Sequence, residues 1–318
     1  MKALVLPDLE EVLYRFESVL SELLRSEVLF VELIHQDLVA AGGKRIRPRL
    51  VFLSSRAIGG APFEMELALA VELLHSATLL HDDLIDEAET RRGKEAAFRK
   101  YGNAVSVLSG DFLLSRLLHV IAKTGRLELV EMFAETARIL SEGEVLQFQV
   151  AALEEHSLEN YEKIITAKTA VLMRLACEGV AVLKGVDGEV REALGRFGLR
   201  YGQAFQMRDD YLDLMGDPKA LGKPIGGDVR EGKFTLLTLK LLERLPEEVG
   251  PILKRRAQGA QDLERLRVLA RETGVAHEVE AAIRKRVEEA VEALSLLPDT
   301  PYRRALEALA RAEEVRLA

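Results

Sequence analysis

The sequence predicts an all-α fold, a bundle of long, mostly antiparallel helices. Three observations carry that reading. Leu, Ala, Glu and Arg, all strong helix formers, dominate the 318 residues. Strand-type alternation of apolar and polar residues is hard to find anywhere. Apolar positions recur at helical spacing in successive segments that stop at Gly or Pro. With 48% hydrophobic residues a large core can be buried, and no linker or repeat divides the chain, so residues 1–318 are read as a single helical domain.

The elements follow in order. A long amphipathic helix is expected from about Leu9 to Ala40, with Leu13, Phe16, Leu20 and Leu24 on one face, and Gly42-Gly43 stops it. Arg45 to Pro48 opens a second helix, with Pro in its first turn. A third runs from about Pro62 past Asp86 and is apolar nearly all round at Leu67–Leu80, which suits the middle of a bundle. Further helices are expected over about Ala104–Lys123, Leu127–Glu154, Leu158–Leu183 and Glu189–Met215. Residues 216–233, rich in Gly, Pro and Asp, read as a functional loop. The remainder from Thr235 is expected as charged amphipathic helices wrapping the outside.

Composition narrows the function. A formal net charge of -8 offers no global basic field, so nucleic-acid binding is not expected. The single cysteine, Cys177, allows no intrachain disulfide, reads as core, and fits a reducing cytoplasm. Met1–Glu11 is too short of positive charge for a signal peptide. The best apolar run, Met65–His81, contains Glu66 and Glu72, so no transmembrane helix is expected.

The chemistry is concentrated in two acidic clusters, Asp82-Asp83-Leu84-Ile85-Asp86 and Asp209-Asp210-Tyr211-Leu212-Asp213. Asp82 and Asp86, four apart, share one helix face with their Cβ atoms about 6 Å apart, so they repel. Both clusters lie toward helix C-termini, where the dipole also disfavours acids. A bound cation resolves both conflicts. Oxygen-only donors select a hard ion such as Mg²⁺, which commonly takes one or two carboxylates plus substrate phosphates. The opposite oddity occurs in Gly42-Gly43-Lys44-Arg45-Ile46-Arg47-Pro48, where cations crowd a helix N-terminus. An anion there would be held by free N–H groups with Lys44 and Arg47. Arg91-Arg92-Gly93 closes the first acidic helix, and its arginines suit a metal-bridged diphosphate.

Lys168-Thr169 lies in an otherwise apolar helix, and a buried Lys needs an anionic partner. Gln206 precedes Asp209 by three and faces the same way. The loop from Gly222-Lys223 to Lys233 has the Gly content of a phosphate cover but lacks the spacing of a P-loop. His75 and His81 fall on different faces, and without HExxH spacing a zinc site is disfavoured. His75 reads as a hydrogen-bond donor.

These motifs, in this order, resemble the trans-isoprenyl diphosphate synthases, or polyprenyl synthetases. The resemblance runs over about residues 40–240 and is greatest to the long-chain, octaprenyl-type members. It also includes Gly110-Asp111, Gly143-Glu144 with Gln147, Lys168-Thr169-Ala170 and Phe205-Gln206-Met207-Arg208 before the second cluster. It implies a helical bundle around a deep central cavity, usually homodimeric. The reaction it implies joins isopentenyl diphosphate to an allylic diphosphate and releases inorganic diphosphate. It also implies that Asp82, Asp86 and Asp209 ligate several Mg²⁺ ions on the allylic diphosphate, with Asp83, Asp210 and Asp213 beside them. Arg91, Lys168, Thr169, Gln206 and Lys223 then contact the allylic substrate, the Gln206 amide oxygen facing the developing cation. Lys44, Arg47, His75 and Arg92 hold isopentenyl diphosphate.

Product length is argued from the helix before Asp82. In this family the positions four and five before the first Asp can form the cavity floor. Here they are Thr78 and Ala77, both small, where short-product members carry aromatics. The next layer is Leu74 and Leu73, then Ala70, each turn adding about 5.4 Å of depth. A hexaprenyl to decaprenyl product is implied, of the kind used in quinone side chains and lipid carriers. The rivals are a farnesyl or geranylgeranyl synthase, a terpene cyclase, and a non-catalytic subunit of a two-chain synthase. The intact Asp209-Asp210…Asp213 argues against the last two.

Overall fold

Pro7 opens α1 (Pro7–Leu23) at the position where its missing N–H costs nothing, and Leu9, Leu13, Phe16 and Leu20 bury its apolar face. The computed structural model describes residues 6–40, 42–85, 90–91, 94–221 and 224–315, with residues 90, 91, 94 and 315 described through their backbone only. The helix expected over 9–40 is two helices, because α2 (Leu29–Ala40) starts afresh. At the break the Ser26 amide donates to Glu32 Oε2 at 2.7 Å, and the Ser26 hydroxyl accepts from the Val28 amide at 3.1 Å. These side-chain bonds compete with the helical ladder, and a periodicity argument does not register them.

The order continues with α3 (Ile46–Ala57) and α4 (Glu64–Ile85). Two short strands, β1 (Thr90–Arg91) and β2 (Lys94–Glu95), pair antiparallel. Then come α5 (Ala97–Tyr101), α6 (Asn103–Ala122), α7 (Leu127–Leu153) and α8 (Leu158–Ile165). The single helix expected over 158–183 is divided by a π-helical turn, Thr166–Ala170, before α9 (Val171–Lys184). Next is α10 (Glu189–Met215), followed by the short α11 (Pro218–Leu221) and α12 (Gly227–Glu231) within the predicted loop. The chain closes with α13 (Leu236–Arg244), α14 (Pro246–Lys254), α15 (Asp262–Glu272), α16 (Val275–Ala293) and α17 (Pro301–Val315).

The helices group into two compact units. The first comprises Met1–Ala137, Leu175–Gly195 and Leu296–Leu306. Its centre is α4, where every residue from Leu67 to Leu74 is buried, and α3 and α6 pack along it. Each fully buried leucine contributes roughly 1.5–3 kcal/mol through loss of apolar surface from water. Of the described helices α6 alone is long and apolar enough to cross a membrane by length and composition, yet it carries Asp111 and Arg116. Its buried Ser106, Ser109, Gly110 and Leu113 give α4 a close neighbour.

The second unit comprises Arg138–Arg174, Arg196–Ser295 and Glu307–Ala318. Here the structure corrects the expectation for the tail. The helices after residue 235 do not merely wrap the outside. Leu236, Leu237, Leu241, Val249, Ile252, Leu266, Val275, Val279 and Ile283 join Tyr161, Met207, Tyr211 and Leu214 in one apolar cluster. High surface charge concealed that contribution, because a single stripe of Val and Ile along α16 is enough to bury one face.

Candidate active site

In the first unit, Gly42 takes φ +61° and ends the turn after α2. Lys44 is exposed and Arg47 half-buried, on either side of Arg45 at the start of α3. On α4, His75, Thr78 and Asp82 are half-buried at three- and four-residue spacing and so share a face. The Thr78 hydroxyl donates to the His75 carbonyl at 2.8 Å. Ala77 and Leu74 are buried, at 1% and 2% exposure, and so is Asp83. His81 turns toward α6, its Nε2 3.2 Å from the Val107 carbonyl and 3.7 Å from Asp111. A Cβ on Gly110 would collide with this imidazole, which explains the Gly110-Asp111 pair. Asp86, Arg92 and Lys223, and the side chain of Arg91, lie outside the described residues.

In the second unit, α10 carries an exposed Asp209, a half-buried Asp210 and a buried Asp213. A relay of hydrogen bonds runs into Asp210. The Thr169 hydroxyl donates to Gln206 Oε1 at 2.7 Å, and Gln206 Nε2 donates to Asp210 Oδ1 at 2.7 Å. Tyr161 donates its hydroxyl to the other oxygen, Oδ2, at 2.8 Å. The Gln206 amide oxygen, expected to face the substrate, accepts the Thr169 hydroxyl here. Lys168, in the same turn, has the anionic partner its setting required, since its Nζ lies 2.7 Å from Glu144 on α7. Asp213 holds the following loop, accepting from the Gly226 amide at its carbonyl and from the Asp228 amide at its carboxylate.

Two glycines let α10 approach the π turn and the start of α9. A Cβ on Gly202 would lie 2.6 Å from Ala170 Cα, and one on Gly198 would lie 2.5 Å from the Met173 carbonyl oxygen. Helix propensity alone makes Gly202→Ala stabilising by about 1 kcal/mol. The clash reverses the sign, and a net loss of about 1–3 kcal/mol is expected, read as a lower melting temperature by circular dichroism.

Burial crowds these acids. Asp210 is raised to about 6 by burial, with Asp209 and Asp213 adding to the rise against hydrogen bonds from Gln206 and Tyr161. Asp228 is raised to about 8 by burial and by Asp210 and Asp213. The folded chain therefore keeps protons that the unfolded chain, with carboxyls at the ordinary value of 3.8, has released. Stability is accordingly expected to fall as pH rises from about 4 to about 8. Melting curves across that range check this, and Asp228→Asn should flatten the slope.

Among the described residues no three His, Cys, Asp or Glu side chains converge as a ready-made metal cage. The donor set still fits a divalent cation. The crowded carboxylates are all-oxygen donors with unbalanced charge, and substrate phosphates can complete the coordination. Cys177 is core as expected, and burial raises its thiol to about 12. Sequence reasoning gave no role to Tyr161 or Asp228, and named Glu144 only as part of the Gly143-Glu144 motif. Tyr161 precedes Lys168 by seven residues, two helical turns, so a shared face was the signal that could have found it.

The polyprenyl synthetase family model matches residues 30–270. The octaprenyl diphosphate synthase of Escherichia coli (strain K12) is 36% identical over 293 residues, 91% of each chain. A decaprenyl diphosphate synthase from Rhodobacter capsulatus has the same fold, with TM-score 0.91 and 34% identity over 98% of both chains. A polyprenyl synthase from Caulobacter crescentus CB15, crystallised with calcium and isoprenyl diphosphate, matches at TM-score 0.89 and 38% identity over 97% of this chain and 96% of that one. Matched along most of its length in sequence and in fold, this chain belongs to the polyprenyl synthetase family of prenyltransferases.

Proposed function

We propose that the chain is a cytoplasmic, Mg²⁺-dependent trans-polyprenyl diphosphate synthase that elongates an allylic diphosphate with isopentenyl diphosphate to a product of hexaprenyl to decaprenyl length. The observation that carries this reading is family membership with both acidic clusters retained, alongside similarity to octaprenyl and decaprenyl synthases. Asp82, Asp86 and Asp209 would hold the metal, with Asp83, Asp210 and Asp213 supporting them. When bound, Mg²⁺ acts as a Lewis acid that neutralises the departing diphosphate.

The protein's own side chains do the rest. Arg91, Lys168 and Lys223 add fixed positive charge for the leaving group. Glu144 keeps the Lys168 ammonium in place when no phosphate is near it. With its hydroxyl committed to Gln206, Thr169 offers its backbone carbonyl to a developing carbocation, as does Lys168. A π turn leaves carbonyls outside the ordinary ladder and recurs at functional sites. Lys44, Arg47, His75 and Arg92 would bind the second diphosphate through side chains, leaving its alkene free to attack. Apolar walls keep water from quenching the cation.

A homodimer is part of this reading. It accounts for the exposed Leu108 and Leu118 on α6 and the exposed Val145 and Phe148 on α7. The deciding experiment incubates the purified chain with Mg²⁺, farnesyl diphosphate and isopentenyl diphosphate, then separates products by chain length. Products of six or more isoprene units are expected. Stopping at geranylgeranyl diphosphate sinks the long-chain claim, and turnover without isopentenyl diphosphate points instead to a cyclase.

A further inference from the structure

Arg45 stands in the middle of the basic segment, between the two residues proposed to bind isopentenyl diphosphate, but it is built differently from both. Its backbone is left-handed, with φ +47° and ψ +42°, which is rare for a residue with a side chain. It serves as the N-cap of α3 without any side-chain capping bond. Its guanidinium turns inward to 11% exposure and is fully engaged. Nε and Nη2 donate in a fork to Glu17 on α1, at 2.5 and 3.0 Å. Nη1 donates to Glu72 on α4 at 2.6 Å.

We infer that Arg45 is a positioning residue for the isopentenyl diphosphate subsite, a clamp that fixes Lys44 and Arg47 on one side and His75 on the other. The inference rests on the reading of those three as ligands of that diphosphate. A left-handed residue persists only where its surroundings hold it, and here the two ion pairs do so. Were the fork released, the turn would relax, and Lys44 and Arg47, one position before it and two after, would swing with it. Glu72 lies three residues before His75, so the same guanidinium also ties the loop to the stretch of α4 that presents the imidazole. The pair with Glu72 is buried, the carboxylate side chain being 6% exposed. Charge-assisted bonds of this kind are short and directional, as positioning requires. Glu17 is 39% exposed, so water screens its share more than that of Glu72.

The guanidinium shape matters as well as the charge. A lysine could reach one glutamate but could not fork across both. Nothing in this arrangement brings Arg45 to the allylic diphosphate, so loss of the clamp should act on one substrate only.

The test measures KM for each substrate in Arg45→Ala, Arg45→Lys and Glu17→Gln, with isopentenyl diphosphate binding followed in parallel by calorimetry. For Arg45→Ala, KM for isopentenyl diphosphate is expected to rise about tenfold or more, and for Arg45→Lys by an intermediate amount. KM for the allylic substrate should stay within about twofold of the parent in every variant. Glu17→Gln leaves Glu72 on the guanidinium, so it keeps the test readable if the Arg45 variants do not fold, and a selective rise of about two- to fivefold is expected. Equal rises for both substrates, or a loss of kcat with both KM values unchanged, would overturn the clamp. A parent enzyme with no saturable dependence on isopentenyl diphosphate would instead remove the underlying reading, so the two failures are distinguishable.

Discussion

Asp209→Ala is expected to lower turnover by about three orders of magnitude, worth ~4 kcal/mol of transition-state stabilisation, and Asp82→Ala to do the same. Neither should lower the melting temperature. Asp209 is exposed on α10 with two acids within one turn, so removing it relieves repulsion. Asp82, in the last described turn of α4, opposes the helix dipole. The neighbouring Asp210 makes the opposite case. It receives hydrogen bonds from Gln206 and Tyr161, and Asp210→Ala leaves both donors without their acceptor. That variant should lose activity and also about 1–3 kcal/mol of stability. Steady-state rates with saturating Mg²⁺, beside thermal melts of the same samples, separate the two kinds of aspartate. An unfolded Asp209→Ala protein would show that its carboxylate holds structure rather than metal.

How much of this was legible in the sequence depends on how local the cause is. The acid clusters and the basic segment stood out because each places charge where a helix dipole disfavours it, and that conflict involves only neighbouring residues. The central position of α4 was legible because its run is apolar nearly all round. The break at Ser26 was not, since two side-chain bonds decide it within a stretch whose hydrophobic spacing continues on both sides. The π turn was equally hidden. Thr166–Ala170 reads as ordinary helix, and its close neighbour, Gly202 of α10, lies more than thirty positions along the chain.

Side-chain roles divided along the same line. The sequence required an anion for Lys168 but could not choose Glu144, 24 positions earlier on another helix. Gln206 was placed beside the second acidic cluster by spacing, yet only the fold shows that its amide joins Thr169 to Asp210. Arg45 drew no attention of its own inside a motif whose neighbours suggested phosphate binding. Its partners Glu17 and Glu72 lie 28 and 27 positions away.

The second large effect concerns what the enzyme makes, and here the structure separates two positions that the sequence treated together. Thr78→Phe is expected to shorten the main product by one or more isoprene units without loss of stability. Thr78 is half-buried on the face of α4 that carries Asp82, about one turn away, roughly 6 Å along the axis. On the proposed reading, a ring there adds bulk beside the growing product. Ala77→Phe should shorten the product too, but Ala77 is 1% exposed within the buried stretch that holds Leu73 and Leu74. A phenyl ring must displace packed neighbours, at a cost of about 1–3 kcal/mol. Product chromatography and melting curves together resolve the pair: both variants shift the distribution, and only Ala77→Phe melts lower. If Thr78→Phe leaves the distribution of the parent unchanged, the limit on chain length is set by a helix other than α4.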